Sequence, residues 1–409
     1  MPYFELDVNL TDDQKAFQDL ARRFGREVMR PIGVELDKLS DPADVIAAGS
    51  PLWDLFKKYR ELGFHKRALP KKVGGMVEDL DPIAGLLMAE EFGYADAGLA
   101  ISLSVAGHTF RYASMSDDKE LNDWARAYCE DTEAKMIGCW AITEPDHGSD
   151  WILAADPAFS DPRCAPQLRA VLKGDEYILN GQKSAWVSDG TIATHATVHV
   201  NLEPSRGMHG TGIAVVNLDR PGVSKGKPLN KIGQRPLNQG EIFFEEVKIP
   251  KKYMVVSDYS TSQPLMKAIM TGANTGMAVL FAGLAKAAFD EALRYARERV
   301  QGGVPIFEHQ NIKLKLMNMF TQVECARSLA RRTSMFNAAQ PPGSLPHAVS
   351  AKGLSTEAAF KVASEAIQIF GGNGLSKEYG IEKIFRDARA SMIEDGTNEA
   401  LALIGAAFL

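Results

Sequence analysis

The sequence has little cysteine and no excess of positive charge, and both features narrow the kind of protein that it encodes. Its four cysteines are scattered without a C-x-x-C pair, which favours reduced thiols and argues against a disulfide framework or a zinc ribbon. Its 46 basic residues are outnumbered by 52 acidic ones, giving a net charge of −6. We therefore expect no nucleic-acid-binding surface.

Long apolar runs and leader signals are also missing. No uninterrupted run reaches the roughly 18 to 20 apolar residues that are needed to cross a bilayer. Residues 1–14 are acidic, and they lack both the apolar stretch of a secretory signal and the arginines of a transit peptide. We therefore expect a cytoplasmic protein that does not insert into a membrane.

Several common catalytic patterns are absent as well. There is no GxxxxGK[ST], no GxSxG, and no GxGxxG that follows a strand pattern. The glycine cluster at residues 207–212 has no helix pattern after it and predicts a turn. His195 and His199 have the spacing of one strand face, but no acidic or cysteine residue lies near them in sequence, so we expect no metal site.

What the sequence does contain is a helical region, a β-rich region and a second helical region. Its 409 residues, 45% of them apolar and 24% charged, predict two or three globular domains. We place these domains at residues 1–136, 137–256 and 257–409. In the first domain, Thr11 and Gln14 match a capping box at a helix start, and Pro31 is expected to end that helix.

The other two domains have different patterns. The middle domain has short β-rich runs between turn residues and predicts a small sandwich or barrel. Within it, Asn180-Gly181 predicts a hairpin turn, because a type I′ turn needs positive φ at both central residues. The third domain has long helical runs at residues 265–300, 312–337 and 354–370. They are apolar on more than one face, which predicts a four-helix bundle that also packs against other subunits.

Three segments suggest chemistry. TEPDHGSD, residues 143–150, combines hydroxyls, acids and a glycine in a loop, where exposed N–H groups suit a polar cofactor edge. GQKSAWVSDG, residues 181–190, carries a tryptophan. FGGNG, residues 370–374, precedes EDGTNE, residues 394–399. Taken singly, the first also fits an ordinary capped turn and the tryptophan fits a β core.

In this order, the three segments resemble the acyl-CoA dehydrogenase family, and the resemblance covers nearly the whole chain. It is strongest at residues 143–150, 174–186, 295–310 and 368–397. The resemblance implies a mainly helical fold with a β insert: an N-terminal helical domain, a central β-sandwich or barrel and a C-terminal four-helix bundle. It also implies FAD bound without a dinucleotide fingerprint, an acyl-CoA substrate, electron-transfer flavoprotein as electron acceptor, and a homo-oligomer, usually a tetramer or dimer.

The same resemblance assigns site residues. Thr143 and Ser149 match hydroxyls beside the flavin and the substrate. Trp186 matches the tryptophan that packs against the flavin ring, although this chain has one extra residue between Lys183 and Trp186. A second group matches residues that reach the FAD of a neighbouring subunit. It consists of Arg299, Gln310, Gln368, Gly371 and Gly372. The full cofactor set implied is Trp140, Ile142, Thr143, Ser149, Trp186, Ser188, Arg299, Gln310, Gln368, Gly371, Gly372, Thr397 and Glu399. The implied substrate set is Ser149, Asn274, Asp395 and Gly396.

The implied reaction is α,β-dehydrogenation of a thioester, in which a carboxylate removes the α-proton and hydride passes to the flavin. The family's usual glutamate base is replaced here by Asp395, with Glu394 as a rival one position away. The family's alternative base position is Ala273, which cannot act. Asn274 and Glu399 stand where the family usually has arginine and glutamine.

An aspartate at the position of the base is compatible with more than one class of substrate. Asp occurs in the family's dehydrogenases of alicyclic carboxyl-CoA thioesters, of the cyclohexane or cyclohexene type, and this is the substrate class that we favour. It also occurs in nitroalkane oxidases, whose pattern has an arginine where this chain has Ala402. A dehydrogenase of short or branched acyl-CoA and a degenerate acyl-CoA-binding protein also fit the motifs. The stretch at residues 151–173 is longer than is common, and it either rims the pocket, forms a partner surface or is a tolerated surface insertion.

Overall fold

The structure is a computed structural model that describes residues 10–409, apart from the side chains of residues 260–262. A helical part, a β-sheet and a second helical part follow one another along the chain. This arrangement confirms the helical–β–helical fold expected from the sequence.

The first part consists of helices α1 (Asp12–Arg23), α2 (Arg30–Asp37), α3 (Pro42–Val45), α4 (Pro51–Glu61), α5 (Pro82–Ala95), α6 (Ala97–Val105), α7 (His108–Ser114) and α8 (Lys119–Glu130). The predicted capping box at the start of α1 is confirmed. The backbone N–H of Gln14 donates to Thr11 Oγ1 at 3.2 Å, and the N–H of Thr11 donates to Gln14 Oε1 at 2.9 Å. Two otherwise free helix-end N–H groups are thereby satisfied.

The prediction that Pro31 ends the first helix is wrong. The helical path continues from α1 into α2 through a π-helical segment, Phe24–Met29, and Pro31 lies at the start of α2. At this junction the N–H of Arg30 donates to the carbonyl of Gly25, five residues earlier. The wider turn shifts the hydrogen-bond register just before the proline, so the missing N–H and the ring are accommodated without a break.

The middle part is one hydrogen-bonded sheet. Its strands are β1 (Gly138–Ala141), β2 (Arg169–Lys173), β3 (Glu176–Ser188), β4 (His195–Asn201), β5 (Thr211–Asn217), β6 (Val223–Lys225), β7 (Gln239–Pro250) and β8 (Met254–Val256). The order is β6-β7-β3-β2-β4-β5-β8, with β1 paired to β4. The two halves of the sheet join at a single residue pair, Arg169 with Asn201, and both contribute to one buried core.

The predicted hairpin turn at Asn180-Gly181 is also wrong, because β3 runs straight through these residues. The turn lies instead between Lys173 and Glu176, the last pair that joins β2 to β3. Gly181 does have the positive φ that was expected, +136°, but it forms part of a bulge against β7. A Cβ at Gly181 would lie 2.8 Å from the Cα of Leu168, so glycine is needed there for close packing.

The second helical part contains α9 (Tyr259–Glu298), α10 (Gln310–Ala339), α11 (Leu345–Phe370), α12 (Ile381–Ser391) and α13 (Asn398–Ala406), with a short hairpin of β9 (Val300–Gln301) and β10 (Val304–Pro305). Helix α9 packs against α5 of the first part. A Cβ at Gly93 would lie 1.9 Å from the carbonyl oxygen of Leu280, and one at Gly283 would lie 2.1 Å from that of Glu90. These glycines let the two backbones touch, so both helical parts share one core.

The stretch Gln263–Glu298 of α9 is long and apolar enough, by length and composition alone, to cross a membrane. It was not expected from the sequence, because polar residues interrupt its apolar runs. Of its most apolar window, 67% is buried inside the protein. The apolar character of this stretch is therefore accounted for by the core that it forms with its neighbouring helices.

Candidate active site

The acid that replaces the usual glutamate lies on a short loop between α12 and α13, residues 392–397, which we call the base loop. Asp395 has φ +52° and Gly396 has φ +96°, so two consecutive residues adopt left-handed backbone conformations. Thr397 ends the loop by capping α13, where its Oγ1 accepts from the N–H of Ala400 at 3.3 Å. Asp395 is exposed to solvent at this sharp turn.

Asp395 is accessible, yet enough protein surrounds it to affect its ionisation. Burial raises the pKa of its carboxyl group, and the positive charge of Lys352 opposes that rise. Its carboxylate accepts no hydrogen bond from the described residues. A carboxylate that is reachable, without a donor and more basic than usual has the properties of a general base.

The neighbouring acid is held differently. Gln234, from the loop between β6 and β7, donates from Nε2 to Glu394 Oε1 at 2.7 Å, and its backbone N–H donates to the carboxylate of Asp387 on α12. Burial, with the nearby charge of Asp395, raises the pKa of Glu394 to about 7, although the Gln234 bond lowers it. Glu394 is thus tied to the β-sheet part, whereas Asp395 is free to meet a ligand.

The loop after β1 touches the base loop directly. The backbone N–H of Thr397 donates to Ser149 Oγ at 3.1 Å. At the start of the same loop, the carbonyl of Thr143 accepts from the N–H of Ser184 on β3 at 2.9 Å. Residues 143–150 therefore contact both residues 181–190 and residues 394–399, although these segments were identified separately in the sequence.

A buried ion pair fixes the loop after β1 to β3. Lys183 donates to Glu144 Oε1 at 2.7 Å and to the carbonyl of Ile142 at 3.1 Å, and both charged side chains are fully buried. Desolvation lowers the pKa of Lys183 to about 8. The extra residue before Trp186 is absorbed by an irregularity in the pairing of β3 with β7.

The aromatic residues expected beside the flavin lie on these strands. Trp186 is 57% exposed, which is unusual for a tryptophan on a central strand, and the carbonyl of Trp186 and Ser188 Oγ both accept from Gln239. Trp140 is partly buried and donates from Nε1 to His199 at 2.9 Å. An open tryptophan ring next to polar groups offers a flat face for an aromatic ligand.

The second group of expected cofactor residues lies elsewhere. Arg299, Gln310, Gln368, Gly371 and Gly372 are all exposed near the end of α9 and the end of α11. The two ends are joined by stacked rings of Tyr295 and Phe370, whose centroids are 4.0 Å apart.

The separation of the two groups follows from α11 itself. Lys352, near the start of α11, contacts the base loop, whereas Gln368 lies sixteen residues further along the same helix. At 1.5 Å per residue this is about 24 Å. One chain therefore does not bring its two groups of expected cofactor residues together.

Two expected residues remain, Asn274 on α9 and Glu399 on α13. Asn274 is buried on α9, where its Nδ2 donates to the carbonyl of Met270 at 2.9 Å and its Oδ1 has no partner in the described structure. Glu399 is exposed in the first turn of α13. Asn274 thus offers a spare acceptor that an arginine at this position would lack.

The long stretch at residues 151–173 packs against the base loop at its beginning. A Cβ at Gly396 would lie 2.8 Å from Ile152 Cγ1, and Ile152 also packs against the cluster that contains Leu401. Later residues of the stretch approach the β4–β5 connection, where a Cβ at Gly207 would lie 2.3 Å from the carbonyl oxygen of Asp161. The beginning of the stretch therefore contacts the base loop, and its later residues contact the β4–β5 connection.

Sequence reasoning missed three residues of the site: Lys352, Gln234 and Ile152. Only Lys352 left a signal, because it is a lone lysine among the residues that α11 buries, between Ala351 and Ser355. A charge on a buried helix stripe requires a partner. Gln234 and Ile152 lie in irregular segments whose neighbours cannot be read from spacing.

Three family models match consecutive parts of the chain. They describe the N-terminal domain of acyl-CoA dehydrogenases at residues 11–133, the middle domain at 139–247 and the C-terminal domain at 265–409. The cyclohex-1-ene-1-carbonyl-CoA dehydrogenase of Syntrophus aciditrophicus is 30% identical over 97% of this chain and 89% of its own length. These matches confirm the resemblance found in the motifs.

Solved structures agree. Butyryl-CoA dehydrogenase of Megasphaera elsdenii is similar with a TM-score of 0.84 and 28% identity, covering 98% of this chain and 99% of its own. A chain from the structure of the electron transferring flavoprotein of Acidaminococcus fermentans, studied for flavin-based electron bifurcation, has a TM-score of 0.83 and 29% identity, covering 98% of both chains.

Proposed function

Because the chain belongs to the acyl-CoA dehydrogenase family, whose members are FAD-dependent oxidoreductases acting on CH–CH groups, we propose that Asp395 is its base and that its acyl substrate is cyclic. The observation that carries this proposal is the contrast between two adjacent acids. Asp395 is accessible and accepts no hydrogen bond from the described residues, whereas Glu394 is held by Gln234. A branched acyl group is the second choice for the substrate.

The residues present fit FAD on two surfaces. The exposed ring of Trp186 provides a face on which the isoalloxazine can stack. A Cβ at Gly371 or Gly372 would meet nothing within 4 Å, so open backbone is available beside Gln368 for a pyrophosphate. Thr143 and Ser149, at the loop after β1, supply hydroxyl groups. When bound, FAD accepts the hydride that leaves the acyl chain.

The remaining work falls to the base loop. Asp395 takes the proton from the α-carbon, and its raised pKa favours that transfer when the thioester has displaced water. The N–H of Asp395, turned by its positive φ, is a donor for the thioester oxygen, on which negative charge develops. Ile152 keeps the neighbouring wall apolar.

The substrate proposal rests on the length of the base. An aspartate is one carbon–carbon bond, roughly 1.5 Å, shorter than a glutamate. A misplacement of that size costs about 100-fold in rate when nothing compensates. A ring atom as α-carbon changes where the proton is presented, and the relative from Syntrophus aciditrophicus carries the name of a cyclic acyl-CoA dehydrogenase.

The test is an anaerobic titration of the holoenzyme with linear, branched and cyclic acyl-CoAs, following the bleaching of the flavin. We expect a cyclohexane- or cyclohexene-carboxyl-CoA to bleach it fastest, with slow reoxidation by air. A linear acyl-CoA as the best substrate would overturn the substrate proposal. Rapid oxygen uptake with a nitroalkane would favour an oxidase, and tight binding without bleaching would favour a degenerate binding protein.

Replacing the base is the sharper test of mechanism. We expect Asp395→Asn to keep FAD and bind acyl-CoA, but to lose bleaching by roughly 1,000-fold or more, on the order of general base catalysis. The matched control is Glu394→Gln, which keeps the Gln234 hydrogen bond and should retain most activity. Full activity of Asp395→Asn would move the base elsewhere.

Three further proposals concern the oligomeric state, the electron acceptor and the location. The two groups of residues expected to hold FAD lie on different sides of α11, one near the base loop that Lys352 contacts and one near Gln368, about 24 Å further along that helix, and two copies of the chain in a homo-oligomer would bring them together. Electron-transfer flavoprotein is the proposed electron acceptor, and the similarity to a chain from the Acidaminococcus fermentans structure supports it. A cytoplasmic location stays a prediction, and cell fractionation checks it.

A further inference from the structure

One buried lysine lies directly behind the base loop. Lys352, on α11, is fully buried, and its Nζ donates to the carbonyl of Gly396 and to Asn398 Oδ1, both at 2.9 Å. The amide of Asn398 donates in turn to Thr356 Oγ1 at 3.0 Å, one turn further along α11. The lysine therefore joins the loop that carries Asp395 to the helix behind it.

Both partners of Lys352 are neutral oxygens. The charged groups that face it are the carboxylates of Glu394 and Asp395 on the base loop and Glu399 on α13. Within the described residues, none of the three is bonded to it as a direct ion pair. Burying a cation without a direct counterion destabilises the folded state. A lysine kept at this position therefore indicates a role for its charge at the site rather than a packing role.

The lysine also holds backbone geometry that would not persist by itself. Asp395 has a left-handed φ, which residues with a Cβ seldom adopt, and Gly396 follows it with φ +96°. The carbonyl that Lys352 holds belongs to the residue directly after Asp395. A fixed carbonyl at Gly396 restricts the turn, and with it the direction of the Asp395 side chain.

We propose that Lys352 is a positioning residue for the reaction, which aims the Asp395 carboxylate through the Gly396 carbonyl and stabilises its ionised form by charge. This inference rests on Asp395 being the base. It explains how the aspartate is held in a strained turn, and it assigns a role to a lysine that is fully buried behind the base loop.

The first experiment compares Lys352→Met with Lys361→Met in the holoenzyme. Both change a lysine of α11, but Lys361 is exposed and paired with Glu357. We expect Lys352→Met to retain FAD while its rate of anaerobic flavin reduction falls roughly 10- to 100-fold with little change in KM, because misplacement acts on the chemical step. Lys361→Met should match the wild type. An unchanged rate in Lys352→Met would overturn the inference.

The pH profile separates positioning and charge from plain folding. The charge of Lys352 lowers the pKa of Asp395, so its removal should move the acidic limb of kcat/KM to higher pH. Burial lowers the pKa of Lys352 to about 8, against the pull of the three carboxylates. Lys352 therefore carries its positive charge across the acidic limb, where it lowers the pKa of Asp395. An acidic limb that does not move in Lys352→Met would contradict the charge role.

Chemical rescue covers the case in which Lys352→Met folds poorly. In Lys352→Ala, added methylammonium should restore a measurable part of the rate and ethanol should not. Equal failure of both compounds would overturn the inference. Asp395→Asn in the same assay keeps the two questions apart: activity in that variant refutes the base assignment, whereas normal activity in Lys352→Met with an inactive Asp395→Asn refutes only the role of Lys352.

Discussion

At the scale of single residues, the site is governed by how three charged groups share a small volume. Asp395, Glu394 and Lys352 lie within one turn and the helix behind it. The charge of Lys352 lowers the pKa of both acids, and both acids raise the pKa of Lys352. Gln234 binds one acid and leaves the other. The division of labour between two adjacent carboxylates therefore comes from their hydrogen-bond partners, since their sequence positions are nearly equivalent.

The raised pKa of Glu394 gives a prediction for stability. Its folded pKa of about 7 lies above the ordinary 4.5, so the folded state binds the proton more tightly than the unfolded state. The resulting stabilisation is complete below pH 4.5 and is lost as the pH rises towards 7. The difference is on the order of 3 kcal/mol. Glu394→Gln should therefore raise the melting temperature at pH 8 relative to the wild type.

The check is a pair of melting curves at pH 5 and pH 8, with Glu399→Gln as a control on the same loop side. Glu399 is exposed, so its replacement should change neither curve by more than the small amount typical of surface positions. Equal melting temperatures for wild type and Glu394→Gln at both pH values would contradict the raised pKa of Glu394 in the folded protein.

At the scale of elements, the long stretch at residues 151–173, which follows the loop after β1, contacts the site. Its first residues form a short helical turn, Ser149–Leu153, that packs against α13, and Ile152 contacts Gly396 beside the base. The sequence left three interpretations of this stretch open. Its contact with the base loop favours the one in which the stretch rims the pocket.

Shortening Ile152 should change substrate preference. Ile152→Ala opens space beside Asp395, and the fit of one methylene in a pocket is worth roughly 10- to 200-fold in discrimination. We expect the ratio of kcat/KM between a cyclic and a linear acyl-CoA to change by about 10-fold. Ile232→Ala is the matched control, because Ile232 is 69% exposed on a loop. An unchanged ratio in Ile152→Ala would remove this stretch from the pocket.

At the scale of the whole molecule, an exposed apolar face on α10 bears on the proposed homo-oligomer. Helix α10 exposes apolar side chains, including Leu314 and Met317, which lie one turn apart. Exposed apolar patches of this kind mark interaction sites. In the proposed homo-oligomer, the expected FAD residues at the far end of α11 would meet the first group of a second chain. The proposed partner for this face is another copy of the same protein.

Disrupting this face should separate the copies. We expect Leu314→Asp combined with Met317→Asp to lower the molecular mass in light scattering and to reduce bound FAD, measured as the ratio of flavin to protein absorbance. Leu62→Asp, on the exposed end of α4, is the control. A double variant with unchanged mass and full FAD would place the interface elsewhere.

Much of the protein followed from sequence. Ordered motifs at residues 143–150, 181–190 and 394–399 led to the family and the fold, and hydrophobic periodicity located the long helices. The errors were local. Pro31 and Asn180-Gly181 carry the right signals for a stop and a turn, but a π-helical segment and a bulge satisfy the same backbone requirements without ending the helix or strand.

The sequence by itself determined the family and the order of its motifs, because residue type and order survive without knowledge of contacts. It made Asp395 the preferred candidate for the base and left Glu394 as a weaker rival. Only the tertiary structure decided which hydrogen bonds each acid receives, since Gln234 and Lys352 reach the base loop from segments about 160 and 44 residues away in the chain. Hydrogen bonds and buried charges between distant segments depend on distance in space, and spacing along one chain does not contain it.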